Sequence, residues 1–172
     1  MNLPVRKIPR RERRGLRSIN RRRHDYLARE TRPGKLEAMN ISHFNDLLTA
    51  ARGQSEPQRL LLVFAGASLP AGATAAQRAR FDAGESGELT PLMCVDKDPS
   101  ALSDFAALVA EASELGADWS LVFAAALAGQ GGRAPADSVV DAALQRMIEA
   151  VKSGDLSGLI PFDRQGDAVQ LS

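Results

Sequence analysis

Leu60-Leu61-Leu62-Val63-Phe64-Ala65, opened by Arg59, runs six apolar residues without a polar interruption. A strand with one wet face alternates, because successive side chains point to opposite sides of a sheet. A strand that never alternates is covered on both faces, the habit of parallel sheets whose crossover helices lie above and below. Trp119–Leu127 repeats the signature, and Leu89–Val95 gives a third strand, with Pro91 marking it as an edge or an irregular start.

Helix and turn signals alternate with these runs. Ser42 is placed to cap a helix carrying Phe44, Leu47, Leu48 and Ala51 on one face, with Gly53 as its stop. Thr74 and Gln77 have capping-box spacing for a short helix ending near Gly84. Asp98-Pro99 reads as a cap and first-turn proline for a helix with Leu102, Phe105, Val109 and Ala112 inward, stopped by Gly116. After the Gly129–Pro135 loop, Val140, Leu144, Met147, Ile148 and Val151 mark the inner face of a fourth helix, ended by Gly154. Leu159–Phe162 and Ala168–Leu171 flank Asp163-Arg164-Gln165-Gly166, a four-residue hairpin turn. The order predicts an α/β fold, a two-layer or three-layer sandwich. Its sheet is mostly parallel, of about four to five strands, and ends in a C-terminal β-hairpin.

Charge divides the chain at Met39. Residues 1–38 hold 13 Lys/Arg against 4 Asp/Glu, and residues 39–172 hold 9 against 17. Periodicity begins only in the second part. Residues 39–172 are therefore expected to form a single α/β domain, and 1–38 a basic leader too polar to order itself. Three readings of the leader stand. It is a stretch upstream of a true start at Met39, or a targeting or membrane-surface segment, or an arm that neutralises nucleic-acid phosphates through Arg10-Arg11-Glu12-Arg13-Arg14 and Arg21-Arg22-Arg23-His24. Tyr26 is its only aromatic residue, so it lacks a stacking platform for single strands. The acidic remainder is poorly suited to nucleic acid.

Cys94 is the only cysteine, which excludes an intrachain disulfide and a multi-cysteine metal centre. No apolar run reaches the ~18–20 residues of a spanning helix, and nothing near Met1 resembles a secretory signal. A cytoplasmic protein is expected.

Two loops are candidate sites. Gly129-Gln130-Gly131-Gly132-Arg133 lies between a strand's carboxyl end and a helix start, where free amides and the helix dipole favour anions. Gly129, Gly131 and Gly132 would let backbone amides approach a ligand, and Arg133 would pair with a phosphate or carboxylate. A plain flexible connection has the same composition. Asp96-Lys97-Asp98 also follows a strand, where open α/β sheets bind ligands. An Asp-x-Asp pair suits a divalent cation, and it is similar to the first motif of phosphotransferase-like α/β hydrolases, whose first aspartate is the nucleophile. Asp98 is equally explained as a helix cap, and no partner motif follows. Asp96 is kept as a ligand contact, with no catalytic or metal-ligating residue assigned.

Other features have blander readings. Gly66–Thr74 sits where a P-loop would, but five residues separate Gly66 from Gly72 and Ala73 stands in place of the required lysine. Cys94 reads as a core thiol and Trp119 as packing. His43 has no ligand spacing. Asp163 and Arg164 read as an exposed turn or a contact point for a partner.

Several segments resemble a small family of uncharacterised proteobacterial proteins often labelled "ribonucleotide reductase subunit alpha". They are Leu61–Ala67, Pro91–Lys97, Gly132–Pro135 and Ile160–Gly166. The resemblance covers essentially all of residues 39–172 and none of the leader. The label cannot be literal, because that catalytic subunit needs a thiyl-radical cysteine and a further reducing pair. An accessory role in nucleotide metabolism beside such an enzyme is what the resemblance leaves.

The function expected is that of a non-catalytic binding or regulatory domain, recognising a protein partner or a small anionic ligand without a cofactor. The alternative is a small enzyme acting on a phosphorylated or nucleotide substrate through Asp96, Asp98 and the Gly131–Arg133 loop. That alternative requires both loops at one end of the sheet, lining one pocket.

Overall fold

The computed structural model describes residues 5–8, 18–22, 40–83 and 86–171, with residues 18–22 and Ser86 described by backbone alone. Four helices, α1 (Phe44–Arg52), α2 (Ala75–Asp82), α3 (Phe105–Ser113) and α4 (Asp137–Ser153), are present among these residues. The strands are β1 (Arg6–Lys7), β2 (Ser18–Arg22), β3 (Gln58–Ser68), β4 (Ser86–Lys97), β5 (Leu121–Ala128), β6 (Ile160–Phe162) and β7 (Gln170–Leu171). They form one sheet in the order β6-β5-β3-β4-β2-β7, with β1 also pairing with β4.

The α/β layering is as read, but the mostly parallel sheet is not. Every ladder is antiparallel. β3 and β4 are the two arms of a wide hairpin, and α2 sits in its loop. The chain then crosses β3 through α3 and enters β5 on the far side. β4 and β5 run in the same direction, yet β3 lies between them, so no parallel ladder forms. α4 returns the chain to β6, antiparallel beside β5.

The apolar run of β3 reported double cover, and that half of the inference stands. Leu60, Leu62 and Phe64 pack in one cluster with Phe44, Leu47, Phe105 and Leu108 of α1 and α3. Leu61, Val63 and Ala65 pack in the other with Val140, Leu144, Met147 and Val151 of α4. Helices cover both faces without parallel neighbours because the crossovers, not the ladders, put them there. Fully burying one such side chain contributes ~1.5–3 kcal/mol, so β3 is the backbone of both cores. α2 buries none of its residues; its half-buried Phe81 lies near Gly87 of β4.

Local signals shift by a few residues. The cap of α1 is His43, not Ser42: its ring Nδ1 accepts the Asn45 amide at 3.0 Å. α3 starts at Phe105 under an Asp104 cap, and Asp98 instead closes a small turn by accepting the Ser100 amide at 2.8 Å. Thr74 and Gln77 form their capping box as read. Pro91 lies at a register shift between Phe64 and Ala65, where β4 takes one extra residue. The terminal hairpin closes at its turn, with Phe162 bridging Ala168, and its second arm then leaves to pair with β2.

Two pieces of the basic leader are strands where they are described: β1 lies opposite Met93 and Cys94, and β2 opposite Ser86–Glu88. The disorder expected for residues 1–38 is not tested by these nine residues, and the rest of the leader lies outside the described residues. Val5 and Ile8 supply the apolar side chains that make the β1 pairing possible, one buried in each cluster. The Arg10–Arg14 cluster lies outside the described residues.

Candidate functional site

β3 begins where β4 and β5 end. Leu61 stands opposite Asp96, Gln58 opposite Ala128, and the Gly129 amide donates to the Pro57 carbonyl at 2.7 Å. Both sequence candidates therefore lie at one end of the sheet. Each is engaged by a different neighbour, Asp96 by Arg59 and the Gly132 amide by Glu56.

Asp96 is only 5% exposed and turned toward the α4 layer, with the Arg59 guanidinium 3.6 Å from its carboxylate. Asp98, two residues on, is exposed and committed to its own turn. The Asp-x-Asp pair is split between inside and outside. In the glycine loop, Gln130 and Arg133 exchange backbone hydrogen bonds at 3.0 and 3.2 Å. Gly131 and Gly132 have φ of 61° and 74°. That is a two-residue type I′ hairpin turn, which requires positive φ at both central positions. Gly129 is needed for space, since a Cβ there would collide with the Arg133 carbonyl. The Gly132 amide, the donor expected to meet a ligand, donates to the Glu56 carboxylate at 2.7 Å. Arg133 is exposed at the end of the turn. Among the described residues, no group of three or more His, Cys, Asp or Glu is gathered to hold a metal.

The opposite end of the sheet carries a different construction. Phe162 pairs with Val122 near the start of β5, so the Asp163–Asp167 loop emerges there. Asp163 is 4% exposed. Its Oδ1 accepts the Gln165 amide at 2.9 Å and the Asp167 amide at 3.0 Å. The Asp163 amide donates to Asp167 O at 3.0 Å, and the Gly166 amide to Asp163 O at 3.1 Å. A buried carboxylate is tolerated because the loop's own amides surround it.

The start of α1 clamps this loop from one side. Phe44 N–H donates to Gly166 O at 2.7 Å, and Ala168 N–H to Ser42 O at 2.7 Å. His43 Nδ1 is an acceptor, so the ring proton sits on Nε2 and is donated to the Gln165 carbonyl, 3.1 Å away. Gly166, at φ 89°, leaves no room for a side chain between His43 and Phe105. Asp46 accepts from the His43 amide at 2.9 Å and from the Ser42 hydroxyl at 3.0 Å, and these two contacts hold its carboxyl below the usual carboxylate range. On the outer side, Arg164 lies over the Trp119 ring, 5.3 Å from its centroid, and 3.6 Å from Asp118. Trp119 itself is buried edge-on against Phe64. The Arg164 side chain stays about half exposed, at 54%.

Sequence reading passed over His43 and placed Asp163 at the surface. A local signal did exist, in the Asp163–Gly166 turn spacing and in the His43–Asp46 interval of a capping box. The long-range bond from His43 to a loop 122 residues away has no local trace. No protein-family model, curated protein or solved structure matches this chain. The functional reading rests on these residues.

Proposed function

We propose that this chain is a non-catalytic protein-recognition domain that presents Arg164 and Gln165 to a protein partner from the Asp163–Asp167 loop. The observation that carries this reading is the buried Asp163 carboxylate, which orders the loop from beneath while its two central side chains remain exposed. A loop already fixed in one geometry loses little conformational freedom on binding. Arginine is a residue type that dominates binding energy at protein interfaces, and here the buried Trp119 ring supports it from beneath. A small anionic ligand has less support. The Gly132 amide engages Glu56, and Asp96 pairs with Arg59.

A photo-crosslinking residue in place of Gln165 is expected to give a discrete protein adduct in cell extract, and Arg164→Glu to remove it. A thermal-shift panel of nucleotides, sugar phosphates and divalent metals should stay flat. A ligand at a hundred times its Kd adds ~2.7 kcal/mol, about 8 °C for a chain of this size. A shift of that kind, lost in Arg133→Ala, overturns the reading in favour of a small-ligand site at the glycine turn.

A further inference from the structure

β4 is long, and its outer side is not left bare. An unpaired strand edge is a template for another strand, and here residues 5–8 lie on it. Arg6 stands opposite Cys94 and Lys7 opposite Met93, and the Ile8 amide donates to the Leu92 carbonyl at 2.8 Å, beside the register shift. Alternation sends Val5 into the α1/α3 core and Ile8 into the α4 core, at 5% and 2% exposure. Two carboxylates bracket the segment from opposite layers. Glu111 of α3 accepts the Val5 amide at 2.8 Å while holding the buried Lys97 ammonium at 2.7 Å. Asp141 of α4 lies 3.3 Å from the Arg6 guanidinium.

These contacts are those of strand addition, in which main-chain bonds supply affinity and side-chain pockets supply choice. The seat here asks for an apolar residue, a basic residue facing Asp141, and a second apolar residue two positions further on. We infer that the outer edge of β4 at Leu92–Cys94 is a docking groove for an extended peptide of that pattern from a partner protein, with Val5–Ile8 as its tethered occupant. The occupant makes only a two-residue ladder, so it is held by core anchors and tethering rather than by a long strand pairing. Tethering raises its effective concentration to about the millimolar range, which keeps the groove closed until a better strand competes. This goes beyond the loop reading, since it concerns another edge of the molecule and stands without it.

The test begins with the seat. In the full chain, Arg6→Cys places a thiol directly opposite Cys94, within disulfide reach. Oxidation should give an intrachain bond and a monomer on a non-reducing gel. A disulfide-linked dimer, or no bond at all, overturns the tethered occupancy. The second step is a fluorescent peptide of residues 3–10 titrated into full-length variants. Val5→Asp combined with Ile8→Asp should bind it at least ~10-fold more tightly than the wild-type chain, whose groove is filled. Arg6→Asp, which changes only an exposed side chain, should give the same direction if the double variant fails to fold. Affinity equal to wild type in a folded variant, or equal binding of a peptide with Arg6 and Lys7 both replaced by Glu, overturns the groove.

Discussion

The Gly129–Arg133 turn and the Asp163–Asp167 loop both reverse the chain at an end of the sheet, and both use glycine at positive φ. They are held by different means. The first is closed by two backbone hydrogen bonds between Gln130 and Arg133, and one carboxylate, Glu56, reaches its apex from outside. Its central glycines have open space around them. The second is built around a carboxylate buried within it, clamped by α1, and packed so closely at Gly166 that a methyl group meets both His43 and Phe105. Glycine content measures how freely a backbone bends. It says nothing about how firmly the surroundings hold the bend, and that second property is what a recognition surface needs.

The comparison breaks first at Gly166. Gly166→Ala adds strain at positive φ and overpacking against two rings, together about 3 kcal/mol. Thermal unfolding should show a fall in Tm of roughly 6–12 °C. A neutral result would mean that α1 and the loop are not tightly docked. Asp163→Ala comes next, because it leaves the Gln165 and Asp167 amides without their acceptor; a loss of about 2 kcal/mol by denaturant unfolding is expected. Gly131→Ala, in open space, meets only the backbone penalty of a left-handed residue, about 1 kcal/mol, and Gly131→Asn should cost less because asparagine suits this turn. If Gly131→Ala proved as damaging as Gly166→Ala, the contrast between the two loops would be lost.

How much of this was legible beforehand depended on range. Leu60–Ala65 announced a doubly covered strand, and α4 declared its buried stripe from Val140 to Val151, because burial leaves its mark on each residue's own type. Strand direction left no such mark. Whether β3's neighbours run with it or against it is decided by where α3 crosses, and the same apolar run serves either topology. Asp96 and Asp98 looked like a pair only while their spacing was known and their facing was not; the chain leaves the strand between them. Asp163 looked exposed because an aspartate in a turn is usually wet, and its burial depends on α1 arriving from 120 residues away. In the sequence, Val5 and Ile8 stand as isolated apolar residues among charges. Two such residues, facing opposite layers, suffice to seat a strand on an existing edge.

The smallest effect sharpens the α1 clamp. Asp46 has its carboxyl pulled below the ordinary value by the His43 amide and Ser42 hydroxyl. A depressed folded-state value gives stability that is present above the unfolded value and lost as pH falls through the folded one. The group is exposed, so its share is small. Asp46→Asn should flatten the acid limb of a Tm–pH profile slightly and leave neutral pH nearly unchanged. An unaltered acid limb would remove the clamp's electrostatic part.

Amide hydrogen exchange on the full chain tests the central contrast most directly. The Gln165 and Asp167 amides, bonded to the buried Asp163 carboxylate, should exchange about 100-fold more slowly than the Gly132 amide in its exposed turn. Asp163→Ala should erase that gap. Equal exchange in the two loops of the unaltered chain would contradict the account, because the Asp163–Asp167 loop would then be no better ordered than a simple glycine turn.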